Sequence, residues 1–344
     1  MPNLIPPITT VKQAVEYRNR LQALAPNVKF LMSLYLHESM TPETIIEAKR
    51  AGIAGVKSYP AGVTTNSSSG TVDYASFYPI FKQMEAEGLV LNLHGECPSK
   101  GDVTVWNAES EFLPTLASLA HHFSKLRIVL EHVTTEKAVE TVKHLGDNVV
   151  ATITAHHLHL IVDDWAGDPL NFCKPVAKTS TDRMALLKAA CSGNPKFFFG
   201  SDSAPHPVDL KYKKGKAAAG VFTQPYTTQL VLEALETAVD AGILAEKDVT
   251  LDKISGFMSG HGRQFYRLEK SSDTRIEISK GKDTITDILE NEDKSLQVVP
   301  FRHGTKTRTL KWLPERAGGE HINDSHPLVQ DHPQYRQKGG TKSH

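Results

Sequence analysis

The chain has 344 residues, 40% of them hydrophobic, and its 39 Lys+Arg balance 39 Asp+Glu to a formal net charge of zero. That length suffices for one large α/β core, and the charge balance argues against a basic nucleic-acid surface. The N-terminus does not read as a secretory signal, no stretch approaches the ~18 apolar residues that span a bilayer, and three scattered cysteines without C-x-x-C (Cys97, Cys173, Cys191) read as reduced thiols of a cytoplasmic protein.

From residue 10 to about 240 the pattern alternates strand and helix. Thr10 can cap a helix whose Ala14, Tyr17, Leu21 and Leu24 share one face. K-F-L-M-S-L-Y-L (29–36) is a buried-strand run. Thr41 caps the next helix, with Pro42 in its first turn. A strand at 54–59 precedes a turn-rich loop at 61–70. Helix 75–87, strand 89–95, helix 109–122, strand 127–133, helix 135–145, strand 149–154, a helix near 181–193 and strand 197–202 follow. After Pro225 a long helix carries an apolar stripe of Tyr226, Leu230, Val231, Ala234, Leu235, Ala238 and Val239. Apolar strands alternating with amphipathic helices predict a parallel sheet covered by helices. Beyond about residue 265 the chain changes character. R-I-E-I, V-V-P-F and T-L-K-W-L predict small accessory strands in a segment 266–317, and the polar tail 318–344 reads as disordered.

Four strand ends stop at a ligand-capable residue: Lys57 in A-G-V-K-S-Y-P, His94 in L-N-L-H-G-E, His132 in V-L-E-H-V and Asp202 in F-G-S-D-S-A-P-H. The steps between them are 37, 38 and 70 residues. One strand–helix–strand unit takes roughly 30 residues or more, so these residues recur once per unit, the last step spanning two. In a (β/α)₈ barrel the C-terminal strand ends converge on one face, where active sites sit. An open doubly wound sheet is the alternative, and no Gly-rich phosphate loop follows the first strand to support it. A divalent metal at such a mouth would supply hydroxide near neutral pH and polarise a carbonyl. His94, His132 and Asp202 are suitable ligands. Lysine becomes one only as the carbamate formed with carbon dioxide, since its ammonium is purely a donor.

The strings M-P-N-L-I-P-P-I-T-T, V-K-S-Y-P-A-G-V-T-T-N-S-S, N-L-H-G-E, L-E-H-V-T-T and F-G-S-D-S-A-P-H-P together resemble dihydroorotase, of the shorter bacterial and fungal type within the amidohydrolase superfamily. The resemblance runs from residue 1 to roughly 313, and A-H-H-L-H-L-I-V-D-D-W-A-G-D-P-L-N-F-C-K-P-V-A-K (155–178) fits the fungal style. It implies a TIM (β/α)₈ barrel over residues 1–265 and a zinc-dependent hydrolase acting on cyclic amides in de novo pyrimidine synthesis. It further implies two Zn²⁺ per subunit bridged by N6-carboxylated Lys57, with His94 and His132 on the more exposed ion and Asp202 on the more buried one. Asp202 would also be the general base and acid. Asn3, His206, the backbone at Ala219 and near Lys174, His94, and the loop tip Thr64 and Thr65 would face the substrate. The partners implied are a small-molecule substrate and a second copy of the chain, with neither nucleic acid nor membrane.

The family's first strand ends in H-x-H-x-R, which completes the buried zinc site and clamps the substrate carboxylate. No such motif precedes M-P-N here. The expectation is therefore a barrel lacking strand one and most of strand two, a gene model beginning at an internal methionine, and a chain that is weakly active or inactive as written. His157-Leu158-His159 is read as local structure and not as the missing ligands. A hydantoinase-like cyclic amidohydrolase and a non-catalytic scaffold are the competing readings.

Overall fold

The computed structural model describes Leu4 and residues 6–61, 73–269 and 274–313. The first element is helix α1 (Val11–Leu24), closed at its start by a capping box in which Thr10 and Gln13 satisfy each other's backbone N–H. Strand β1 (Ser33–Tyr35) leads to α2 (Pro42–Arg50), capped by Thr41. Then come β2 (Gly55–Ser58), α3 (Tyr78–Glu87), β3 (Val90–His94), α4 (Ala108–His122), β4 (Arg127–Glu131), α5 (Glu136–His144) and β5 (Val149–Ile153). Two short helices, α6 (Ala155–His159) and α7 (Val162–Trp165), precede α8 (Ser180–Ala190) and β6 (Phe197–Phe199). Helix α9 (Val208–Lys211), α10 (Thr227–Asp240), α11 (Leu251–Ser255) and α12 (His261–Phe265) follow.

The six expected strands are the six observed, in one parallel sheet whose order is their chain order. Several are shorter than expected: 29–36 contracts to β1 and 197–202 to β6, because pairing stops where the neighbouring strand ends. The expected helix 75–87 begins as a 3-10 turn, Ala75–Phe77, and becomes α-helical at Tyr78, where Pro79 fits the first turn. The expected 181–193 helix stops at Ala190. The loop tip at 62–72, residues 1–3 and the tail from 314 lie outside the described residues.

Side chains alternate across each strand, so each strand has an inner and an outer face. Outer residues such as Leu91, Leu93, Ile128, Leu130, Ala151 and Ile153 join the helices in the main core. Helix α10 buries the predicted Leu230, Val231, Ala234, Leu235 and Ala238 there. Inner residues Val90, Val129, Val150 and Phe198 form a separate apolar layer with Phe265 and Tyr266 packed against it. Two residues further along β2 to β5, the inner face carries Lys57, Asn92, Glu131 and Thr152. Sheet curvature with this layering is the interior of a (β/α) barrel.

The last strands are β7 (Arg275–Thr284), β8 (Leu289–Glu290), β9 (Gln297–Val298) and β10 (Lys306–Leu313). β7 pairs antiparallel with β10. Arg302 and Thr307 both reach Glu233 on α10, at 3.0 and 2.6 Å. Among the described residues no helix is long and apolar enough to cross a membrane.

Gly55 sits where β2 passes closest to β3. A Cβ there would lie 2.8 Å from Asn92 Oδ1 and nearer still to the Val90 carbonyl. Overpacking of this kind costs about 1–3 kcal/mol, so Gly55→Ala should lower the urea midpoint correspondingly. An unchanged midpoint would contradict the close approach of these strands.

Candidate active site

The inner face builds a polar layer above the apolar one. Glu131 accepts hydrogen bonds from Asn92 Nδ2 at 2.8 Å and Thr152 Oγ1 at 2.6 Å. Thr152 Oγ1 in turn accepts the backbone N–H of His132 at 2.7 Å. Tyr266, contributed after α12, meets Asn92 from below at 2.5 Å. Three strands and a distant residue are thereby tied at one level of the barrel, and the bond to His132 fixes the turn leaving β4. That turn needs fixing, because His132 adopts φ 45°. Asp202, at the end of β6, adopts φ 40°. A non-glycine residue in this region costs about 1–3 kcal/mol, and such residues cluster at functional sites.

A cavity of about 290 Å³ opens on this level, lined by Lys57, Tyr59, Asn92, Glu131, His132 and Asp202 among others. Lys57 is buried, with Nζ 5.1 Å from the Tyr59 ring centroid. His94 stacks on Tyr59 at 5.3 Å, and its ring centroid lies 4.7 Å from that of His132. Lys57, His132 and Asp202, separated by up to 145 residues of sequence, therefore line one cavity, and His94 lies against its lining residues Tyr59 and His132.

The electrostatics of the mouth follow from burial. Desolvation lowers the Lys57 ammonium, opposed by the nearby carboxylates of Glu131 and Asp202. Burial pushes the Asp202 carboxyl up to about 7, against the pull of Lys57. Both histidines are held neutral, His132 well below the ordinary imidazole range, chiefly by burial. His94 Nε2 donates to Glu96 Oε2 at 2.7 Å, both groups buried. The carboxylate holds the proton on Nε2 and leaves the Nδ1 lone pair for a ligand, as outer partners of metal-binding histidines do. His132 Nδ1 is buried with no hydrogen-bond partner.

Of the remaining predicted residues, His206, Ala219 and Lys174 are among those described. His206 Nε2 donates to the Ala219 carbonyl at 3.0 Å. Gly220 beside it cannot carry a side chain, since a Cβ would come within 2.6 Å of the Ala204 carbonyl and 2.8 Å of the His206 ring. The segment before Lys174 reaches the same loop, Phe172 O accepting from Gly220 N at 3.0 Å. Asn3, Thr64 and Thr65 lie outside the described residues.

Several residues of the site were not singled out from sequence. Asn92 is two before His94 and shares its inward face, so period-two reasoning would have found it. Glu131 and Glu96 are adjacent to ligand motifs. Tyr266 has no such signal, being 174 residues from Asn92. Glu109 is a further case. Its buried carboxylate accepts from the backbone N–H and hydroxyl of both Thr134 and Thr135, at 2.6–3.2 Å, and so fixes the loop carrying His132 from behind. His156 and His157 are buried on α6, with Cys173 close enough that one atom from each falls within 4.8 Å of the others. His157 Nε2 and Cys173 Sγ both turn to the Pro175 carbonyl, at 3.1 and 3.3 Å. His156 keeps both ring nitrogens buried without a hydrogen-bond partner.

Removing the Glu109 carboxylate would orphan two buried N–H groups. Unmet buried donors cost about 1–3 kcal/mol each, so Glu109→Ala should lose on the order of 3 kcal/mol in urea unfolding. A loss too small to measure would mean the clamp is idle.

No protein-family model matches the chain. Comparison with individual proteins is decisive. The chain is 48% identical to a probable dihydroorotase of Schizosaccharomyces pombe over 313 residues, covering 91% of this chain and 87% of that protein. It is 45% identical to the dihydroorotase of Saccharomyces cerevisiae, over 91% of this chain and 89% of the relative. The crystal structure of the Saccharomyces cerevisiae dihydroorotase in complex with 5-fluoroorotic acid superposes with a TM-score of 0.84, over 91% of this chain and 89% of that one. An Arthrobacter aurescens L-hydantoinase, 20% identical with a TM-score of 0.66, shares the fold. The strand-end constellation and this similarity over nine-tenths of its length place the chain in the dihydroorotase family, hydrolases that act on cyclic amides.

Proposed function

We propose that this protein interconverts N-carbamoyl-L-aspartate and (S)-dihydroorotate plus water, in de novo pyrimidine synthesis, at the mouth built by Lys57, His94, His132 and Asp202. The observation that carries the reading is the convergence of these four residues in a chain so closely similar to dihydroorotases. The hydantoinase reading has only the shared fold behind it.

The residues fit a metal centre. His94 and His132 offer neutral imidazole nitrogens, one aimed by Glu96 and one with a buried, unpartnered ring atom. Burial favours the uncharged amine of Lys57, and the amine is the form that adds carbon dioxide to give a carbamate and a proton. Zn²⁺ would be held by these residues, N6-carboxylated Lys57 included, together with Asp202, and no H-x-H-x-R in this sequence completes the ligand set of a second, more buried ion. Such ions lower the pKa of water and polarise the scissile carbonyl.

The chain's own residues then divide the work. In ring opening Asp202 takes a proton from the attacking water and delivers it to the leaving amide nitrogen. In ring closing it protonates the departing hydroxide. A carboxylate that takes and returns a proton serves both directions. His206, Asn3 and the backbone at Ala219 and Lys174 hold the substrate carboxylate, and Thr64 and Thr65 are further substrate contacts. Residues 266–317 act as an accessory segment braced on α10 through Glu233. We read the protein as cytoplasmic and homodimeric. Its three free cysteines suit a reducing compartment.

Turnover by the purified chain, weak as the missing H-x-H-x-R makes it, should favour dihydroorotate over hydantoin, and a preference for hydantoin would defeat the substrate assignment. Asp202→Asn should lower kcat on the order of 10³-fold while leaving the circular dichroism and thermal midpoint close to wild type. Retained turnover would remove Asp202 as the proton carrier. Lys57→Ala should lose bound metal, measured by elemental analysis, together with activity. Short carboxylic acids should restore part of both by standing in for the carbamate, and full metal content in that variant would rule out a bridging role.

A further inference from the structure

Lys211 closes α9 in a run of four lysines, D-L-K-Y-K-K-G-K. Lys213, Lys214 and Lys216 are exposed, as a solvated charge run should be. Lys211 is instead 4% exposed. Its Nζ donates to three backbone carbonyls: Phe172 at 2.9 Å, Ala218 at 2.9 Å and Gly220 at 2.6 Å. The three donors of an ammonium are thereby all used. Burial lowers the group to about 8, so the ammonium form prevails at neutral pH.

The three acceptors do not belong to one turn. Phe172 lies on the segment leading to Lys174. Ala218 and Gly220 flank Ala219, whose carbonyl takes the His206 ring N–H. The two segments also touch directly through Gly220 N and Phe172 O at 3.0 Å. One cation therefore gathers the two backbone segments and, through Ala219, the His206 imidazole.

We propose that Lys211 is a positioning residue for substrate binding, holding the 172–174 and 218–220 backbones at the separation that the substrate's polar groups require. This rests on the functional reading above, which gives those two segments to the substrate. Lys211 does not itself reach the reacting atoms. Contacts it organises would serve ground state and transition state alike, and loss of uniform binding raises KM with little change in kcat.

The test uses the full chain and two variants. Lys211→Met keeps the length of the side chain and removes every donor. Lys211→Gln keeps two donors at a shorter reach. Affinity for 5-fluoroorotate is measured by calorimetry, alongside kcat and KM for dihydroorotate and metal content. The inference expects Kd and KM to rise about tenfold or more in Lys211→Met, with a smaller rise in Lys211→Gln, kcat within about threefold and metal content unchanged. Should Lys211→Met fail to fold, the Gln variant decides by the same criterion. Unaltered Kd and KM in folded variants, or a fall in kcat or metal content with Kd unaltered, would overturn the positioning role while leaving the functional reading intact. Wild-type chain that neither binds 5-fluoroorotate nor turns over dihydroorotate would overturn the functional reading and this inference with it.

Discussion

The Glu131 carboxylate is the fixed point on which the site depends. It sits inside the sheet, between an apolar layer of Val90, Val129, Val150 and Phe198 below and the ligand-capable residues above. Glu131 is half-buried, and a carboxylate withdrawn from water is tolerated when donors meet its oxygens. Asn92 and Thr152 meet them. Because Thr152 also accepts the His132 N–H, satisfying Glu131 locks the turn that carries a ligand. Polar satisfaction of the barrel interior and placement of the chemistry are thus one arrangement.

Around that point the strained residues are held from several sides. His132 is fixed by Thr152 inside the sheet and, through the next two threonines, by Glu109 outside it. The loops facing the mouth have their own anchor in Lys211, with Gly220 permitting the close approach of Ala204 and His206. Each clamp directs full or partial charge at backbone groups, and none needs a partner at the surface, where ion pairs are worth little. The geometry that chemistry requires is therefore supported by buried hydrogen bonds, the kind whose loss is most costly.

Much of this was legible in the chain. Lys57, His94, His132 and Asp202 announce themselves because each ends an apolar run and the runs recur at the length of one strand–helix unit. Thr10 and Thr41 mark helix starts by local capping chemistry alone. The apolar stripe of α10 follows from helical periodicity. What escaped notice depends on distance. Tyr266 reaches Asn92 only because the chain returns beneath the sheet, and Glu109 reaches Thr134 and Thr135 across the α4–β4 boundary. Lys211 is hidden among lysines that behave as expected of a charged run, and only its own burial against three backbone carbonyls distinguishes it. Strand ends were overestimated where apolar residues continue past the last paired neighbour, as in 29–36.

The central claim is that four strand ends form one metal centre. Anomalous scattering at the zinc edge, from crystals of the purified protein grown with zinc, tests it most directly. The account predicts zinc at the mouth, within bonding distance of His94, His132 and Asp202, with electron density for a carboxylate on Lys57 Nζ. No peak there, or zinc held instead by His156, His157 and Cys173, would contradict it.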